Sequence, residues 1–555
     1  MNKTEIINYF NINIATLKNW IATGLNIDIT SGSIDKSIVE AFIKDNNKLN
    51  SRVNKTTNKK NVIPKELTKI LNEVLLKNNI ELIDKYIEFI SQSNIIDTII
   101  FKRIEDISKK EFSNKKYLSL LSSKKSSLNI NRDLLNELNL EDNNYLLGVL
   151  VQYTMGSNNQ SNFGTFYTPI DIIETLIPKD IKGKTFLEPC SGSGYFLFEI
   201  FKRIKEVTTD NPLNYIYGND IDSHAVLSSI IELIDMSVLE LEYVEPKILN
   251  QDGLKLKIDK VDYVLTNPPY GSNIENKELE EKLKTKESYS FFIYKILNDY
   301  LKTNGKMFLV LPDSILKIKS HFNIRKIILN NGLYQIDFLG KRFKGVMSDI
   351  VLLYIDRTFS GNNILYKELD KNNNNNIVID KKIIEETAHT IINKYKTVTN
   401  YKLLETYLED DHFYLNEKDF YLGIVTGNNA KKIKTEKDEK YNAEVIQGKN
   451  FVKDIKFYIS LEDSFQQSPD LKVYRRNKIV YKFISSTIRT KVDIDSFYTI
   501  NSVNIYSPES ITKEELDIIS RQLNSDKSMF ILHFYYGDIV KVLKEHLCII
   551  PIFKV

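Results

Sequence analysis

Residues 265–273 read Leu265-Thr266-Asn267-Pro268-Pro269-Tyr270-Gly271-Ser272-Asn273, directly after the run Val261-Asp262-Tyr263-Val264. Proline fixes φ and has no N–H, so two in succession end a sheet ladder and hold the preceding residue extended. Asn267 is thereby held still, with the Tyr270 ring three residues on. Asn-Pro and Pro-Pro dipeptides also mark ordinary strand-ending turns, so this stretch alone leaves both readings open.

A second group of residues stands earlier in the chain. Leu187-Glu188-Pro189-Cys190-Ser191-Gly192-Ser193-Gly194-Tyr195-Phe196 is a glycine turn opening a helix. In a doubly wound sheet such a turn lies at the carboxyl edge of the strands, and its glycines let a ligand approach the backbone. A nucleotide-type cofactor fits, although similar turns serve dinucleotides, phosphates or nothing. The next strand pattern, Tyr215-Ile216-Tyr217-Gly218-Asn219-Asp220-Ile221-Asp222, ends in an acid spaced to accept hydrogen bonds from ribose hydroxyls, with Asp222 a second candidate for that role. Asn250-Gln251-Asp252 puts a further acid after a third strand. Each acid alone reads as a polar loop residue, and it is the order of the motifs that carries the signal.

The elements that must position these residues follow from periodicity. Residues 151–400 alternate strand and helix patterns, with strands predicted at 185–187, 215–218, 261–265, 306–311, 334–339 and 350–355. This implies an α/β fold with a Rossmann-like, doubly wound and largely parallel sheet covered by helices on both faces. Ahead of it, residues 61–150 show apolar spacing such as Leu67, Ile70, Leu71, Val74 and Leu75, which predicts a helical domain. Residues 1–60 carry two short helix patterns, Thr4–Phe10 and Ala15–Ile21, that resemble the N-terminal half of a winged, MerR-like helix-turn-helix. A polar, basic linker follows at 51–63. Residues 401–555 are irregular, with short strands and mixed basic and aromatic residues, and suggest an α+β domain. The tract Asn372–Asn376 reads as a solvated loop.

Length and composition set the outer limits. A chain of 555 residues exceeds one hydrophobic core, and its 42% hydrophobic content suffices for several. No apolar run is long enough to span a bilayer and residues 1–5 do not open a signal peptide, so a soluble, cytoplasmic protein without membrane contact is expected. Two cysteines, Cys190 and Cys548, exclude a disulfide framework or a cysteine-rich zinc site. No metal site is expected. The net charge of +3 means that nucleic-acid affinity must come from local patches.

Taken in order, the motifs resemble the S-adenosylmethionine-dependent amino-methyltransferases, and more narrowly the gamma class of DNA adenine-N6 methyltransferases of restriction-modification systems. The likeness rests on Gly164-Thr165-Phe166-Tyr167-Thr168-Pro169, the glycine turn, Asn267-Pro268-Pro269-Tyr270, the strand Gly305–Pro312, and Phe338-Leu339-Gly340-Lys341-Arg342-Phe343. It covers residues 145–360 well and the C-terminal part more loosely. The resemblance implies that the Asn267 side-chain oxygen and the Pro268 carbonyl accept from the target amine, that Pro269 stiffens the turn, and that Tyr270 stacks on a base flipped out of duplex DNA. Phe343 would contact the other face of that base and Phe166 its edge. For the cofactor, S-adenosylmethionine, it implies Thr168 at the methionyl carboxylate, Glu188, Cys190 and Gly192 along the methionine arm, Asp220 at the ribose with Ile221 beside it, and Asp252 at the adenine amine. Cys190 is then a packing residue, since an amine attacks directly and needs no thiolate adduct.

Asn-Pro-Pro-Tyr also occurs in enzymes that methylate glutamine amides in proteins or guanine in RNA, which face the same planar, delocalised amine. Those chains are shorter and lack both the Tyr-Thr-Pro element and a large C-terminal domain. A fused nuclease is not expected, because no Asp-x-Lys or Glu-x-Lys occurs in residues 1–150 and Glu245-Pro246-Lys247 reads as a strand-entry turn. A cognate restriction endonuclease would be encoded separately. Some methylating subunits of the family require a separate specificity subunit. Here residues 401–555, with Arg475, Arg476 and Arg489 as candidates for DNA contact, resemble a built-in target-recognition domain, and the enzyme is expected to act as a monomer.

Overall fold

Several helices precede the first strand among the described residues, α1 (Ile95–Ser108) and α2 (Leu146–Thr154) among them. The computed structural model describes residues 95–138, 140, 142–154, 168–271, 274–341, 348–369, 374–426, 432–452, 455–463, 465–494 and 497–554, with 5, 27 and 35–39. The predicted helix-turn-helix, its linker and the segment around Leu67–Leu75 therefore lie outside the described residues, apart from those few positions. The chain divides into two compact units, Met1–Lys257 and Ile258–Val555. Among the described residues no helix is long and apolar enough to cross a membrane.

In the first unit, β1 (Phe186–Glu188), β2 (Ile216–Asp220) and β3 (Lys247–Asn250) run parallel in the order β3-β2-β1. The crossovers contain α3 (Tyr195–Val207) and α4 (Ser223–Met236), whose apolar faces are buried at Phe196, Leu197, Ile200, Ile231 and Ile234 among others. Asp222 caps α4 by accepting from the Ala225 N–H at 2.8 Å. Helix α1 is tied to α4 by charge. Arg103 binds Glu232 through two nitrogens at 2.8 Å and Asp235 at 2.8 Å, while Asn144 reaches both carboxylates. Buried carboxylates are tolerated only when paired in this way.

The second unit holds β4 (Val261–Thr266), β5 (Leu301–Pro312), β6 (Leu333–Gly340), β7 (Ile350–Asp356), β8 (Asn363–Leu369) and β9 (Asn374–Asp380), ordered β4-β5-β7-β6-β8-β9. Strands β4 and β5 are parallel, but β7 pairs antiparallel with both β5 and β6. The sheet is thus mixed rather than largely parallel. Residues 341–349 are too few for a crossover connection, so β7 must turn back beside β6. The asparagine tract also differs from expectation: Asn374, Asn375 and Asn376 start β9, pairing with Leu369, Glu368 and Lys367. A strand ladder uses backbone groups, so asparagines at a sheet edge can take part, and the side chains of Asn375 and Asn376 stay exposed. Helices α5 (Ser288–Lys295) and α6 (Phe322–Asn330) belong to the same unit.

Beyond residue 410 the strands are short and mostly antiparallel. β10 (His412–Tyr414) pairs with β18 (Pro551–Phe553). β11 (Phe420–Tyr421), β14 (Lys478–Lys482), β15 (Thr490–Asp493) and β17 (Val503–Tyr506) form one sheet, and β12 (Ala443–Ile446), β13 (Phe457–Ile459) and β16 (Tyr498–Thr499) another. Helices α7 (Lys513–Leu523) and α8 (Asp526–Tyr536) supply Leu516, Ile519, Leu523, Ile531 and Leu532 to a core shared with Ile479 and Tyr481. A capping box, Thr512 with Glu515, starts α7. This is the α+β arrangement expected from the sequence.

Candidate cofactor and base sites

The carboxyl ends of β1, β2 and β3 are held together by one side chain. Asn219, fully buried near the end of β2, donates to the Pro189 carbonyl after β1 at 3.1 Å and to the Gln251 carbonyl after β3 at 3.0 Å. Its own carbonyl oxygen accepts from the Gln251 N–H at 3.2 Å. Asn250 answers from β3 by donating to the carbonyls of Asp220 and Ile221, both at 3.0 Å. The loops after three strands thus form one rigid edge.

On that edge, Asp220 is buried and takes the Gly192 N–H at 2.8 Å and the Asp222 N–H at 3.0 Å. Burial pushes its carboxyl up, and these two N–H bonds oppose the shift. The Ile221 N–H is a third donor to the same carboxyl, and since an ionised carboxylate offers about four acceptor positions, one remains for a ligand. Gly192 has φ +49° and a Cβ there would meet nothing within 4 Å, which leaves open space over the turn. Gly194, at φ +93°, differs: a Cβ would press on Phe198 and on the Ser229 hydroxyl, both 2.8 Å away. Its lack of a side chain allows α3 to approach α4. The Ser191 hydroxyl is buried with no partner among the described residues.

Ile221 follows Asp220 and is 65% exposed, an apolar surface beside an acid at the strand end. Asp252 is half-buried, accepts from the Leu254 N–H at 3.0 Å and pairs with Lys255 at 3.0 Å. Thr168 and Glu188 are buried, and the Cys190 thiol is half-buried. An open glycine turn, a buried acid with a spare acceptor position, an exposed apolar side chain and a second acid suit a nucleoside-bearing cofactor. Asp222 is committed to capping α4.

In the second unit β4 delivers Asn267-Pro268-Pro269-Tyr270 at its carboxyl end, where the strand stops at Thr266 as the two prolines require. Asn267 is half-buried and Tyr270 buried. Burial raises the Tyr270 hydroxyl well above its ordinary range, so it stays protonated. The turn is held from α5: the Ser288 hydroxyl donates to the Pro269 carbonyl at 2.5 Å, and the Gly271 N–H donates to the Glu287 carboxylate. Phe166 and Phe343 lie outside the described residues. Of the three arginines, Arg475 and Arg489 are exposed, while Arg476 approaches Glu509 at 3.7 Å.

Sequence reasoning did not assign roles to Asn219, Asn250, Glu287 or Ser288. The first two sit inside the quoted strand-end motifs, where an asparagine at the last turn of a strand is the available signal. The other two stand at a helix start with no motif around them.

The profile of the family described as N-6 DNA Methylase matches residues 144–462. The type II methyltransferase M.VspI of Vibrio sp. (strain 343) is 27% identical over 298 residues, covering 51% of this chain and 70% of its own. The modification methylase CviBIII of Paramecium bursaria Chlorella virus NC1A is 27% identical over 198 residues, 34% of this chain and 48% of its own. The match thus spans most of the Vibrio relative but about half of the viral one. Among solved structures, a chain of the DrdV-DNA complex superposes with a TM-score of 0.51 at 12% identity, covering 80% of this chain and 62% of its own, a likeness of fold.

Proposed function

Because the chain belongs to the N-6 DNA methylase family, we propose that it transfers a methyl group from S-adenosylmethionine to the exocyclic N6 amine of an adenine flipped out of duplex DNA. We place it as the modification enzyme of a restriction-modification system, acting as a monomer, with any restriction endonuclease on a separate chain. The observation that carries this reading is the rigid Asn267-Pro268-Pro269-Tyr270 turn at the carboxyl end of β4, in a chain whose preceding strands carry a glycine turn and acids suited to a nucleoside cofactor.

The adenine amine is a poor nucleophile because its lone pair is delocalised into the ring. Acceptance of its two hydrogens by the Asn267 side-chain oxygen and the Pro268 carbonyl would localise that pair and stabilise positive charge growing on nitrogen. Acceptors aligned in advance need no reorganisation in the transition state. Tyr270 would stack on the base, offsetting part of the few kcal/mol that unstacking costs. Phe343 and Phe166 would bound the base on its other sides. The cofactor supplies an electrophilic methyl group on a sulfonium. Thr168, Glu188, Cys190 and Gly192 would hold its methionine arm, Asp220 its ribose with Ile221 beside it, and Asp252 its adenine. Residues 401–555 would select the sequence, through Arg475, Arg476 and Arg489 among others. The test is to offer the purified chain and S-adenosylmethionine labelled in the methyl group to duplex DNA, RNA and protein separately. Label should enter DNA; label confined to protein or RNA would overturn the reading.

A further inference from the structure

Proline fixes φ but leaves ψ free. In Asn267-Pro268-Pro269-Tyr270-Gly271 the aim of Tyr270 therefore depends on the peptide groups on either side of it, and neither proline can donate a hydrogen bond to fix them. Gly271, at φ +70°, adds freedom on the far side. Both flanking groups are captured by consecutive residues at the start of α5. The Ser288 hydroxyl donates to the Pro269 carbonyl at 2.5 Å, fixing the peptide plane that leads into Tyr270. The Glu287 carboxylate accepts the Gly271 N–H, fixing the plane that leaves it.

These bonds are not the usual business of a helix start. Glu287 occupies the N-cap position, yet its side chain makes no capping bond to its own helix. Ser288 is fully buried, so its hydroxyl must bond internally, and it does so to the turn. The next residue anchors the helix elsewhere: the Tyr289 hydroxyl lies 3.1 Å from the His321 ring and 3.3 Å from the Ser314 hydroxyl, just after β5. The helix start is thus fixed to the scaffold by Tyr289 and grips the turn with the two residues before it.

We propose that Glu287 and Ser288 are positioning residues for methyl transfer, clamping the two peptide groups that flank Tyr270 and so setting the plane on which the target base stacks. The proposal rests on the function proposed above. The device acts on orientation, so its loss lowers the rate from bound substrates rather than the affinity for cofactor.

The experiment uses the full chain and a duplex containing a site that the wild-type protein methylates, with a second duplex carrying 2-aminopurine at the target position. For Ser288→Ala and Glu287→Ala the single-turnover rate should fall roughly tenfold or more, as for a lost orienting hydrogen bond, with the KM for cofactor within about twofold. The 2-aminopurine signal should change, and amide hydrogen exchange across residues 267–275 should quicken. Glu287→Gln keeps a carbonyl acceptor for the Gly271 N–H and should stay within about threefold of wild type. If Ser288→Ala does not fold, the two Glu287 variants decide. Alanine variants that methylate within about twofold of wild type, or a Gln variant as slow as the Ala variant, would overturn the clamp. A wild-type protein that methylates no DNA would instead overturn the function on which the clamp rests.

Discussion

Asp220 and Asp222 stand two positions apart in the sequence, and either could serve a ribose. The structure separates them by use: Asp222 caps α4, whereas Asp220 holds the glycine turn and keeps an acceptor position free. Asp220→Ala should therefore weaken binding of the demethylated cofactor product by about 1.5–3 kcal/mol, the range for a charged hydrogen bond. Asp222→Ala should cost about 1 kcal/mol of stability, as for a lost N-cap, with affinity kept. Calorimetric titration and denaturant unfolding of the two variants check this, and the reverse pattern would move the ribose role to Asp222. At this scale, motifs contiguous in sequence were legible because local rules govern them: proline fixes φ, glycine permits positive φ, and acids end strands. Asn219, Glu287 and Ser288 were not legible. Their partners are 16 to 32 positions away, as with Glu287 to Gly271 and Asn219 to Gln251, and only strand register and helix placement bring them into contact.

Among the elements, the strands predicted near 186, 216, 261, 306, 334 and 350 all form, because buried strands leave dense apolar runs. Edge strand β9 begins in asparagines and leaves no such run. The antiparallel insertion of β7 was equally hidden, since periodicity reports which face is buried and not strand direction. Where α5, α6 and β5 meet, His321 is buried against Tyr289 and accessible to almost no solvent. Burial lowers its pKa to about 4, and burial does the same to His546. A histidine whose folded pKa is depressed is protonated first in the unfolded chain as pH falls, so its contribution to stability is complete above about pH 6.5 and lost between there and about pH 4. Each group should then account for on the order of 3 kcal/mol across that window. Denaturant midpoints measured from pH 7.5 down to 4 should fall steeply below 6.5, and less steeply in His321→Gln. A flat profile would contradict the assignment of a neutral, buried imidazole.

For the whole molecule, the order of motifs along the chain pointed to the family that the comparisons then showed, while the division of labour between segments remains a proposal. If residues 401–555 read the sequence, then removing residues 1–60 should weaken DNA binding, with a shallower salt dependence as phosphate contacts are lost. The set of methylated sites should stay the same. Mapping modified bases with the truncated protein checks this, and loss of site selectivity would assign target reading to the N-terminal segment. The central claim is narrower: a turn built to hold a planar amine directs the methyl group to N6 of adenine. The most direct measurement is nucleoside analysis of duplex DNA treated with S-adenosylmethionine and either the wild-type protein or Asn267→Ala. The account predicts N6-methyladenine from the wild type, formed about 10²–10³-fold more slowly by the variant, as when one preorganised hydrogen-bond partner of a transition state is removed. Methyl groups on cytosine, or an Asn267→Ala protein that works at the wild-type rate, would contradict it.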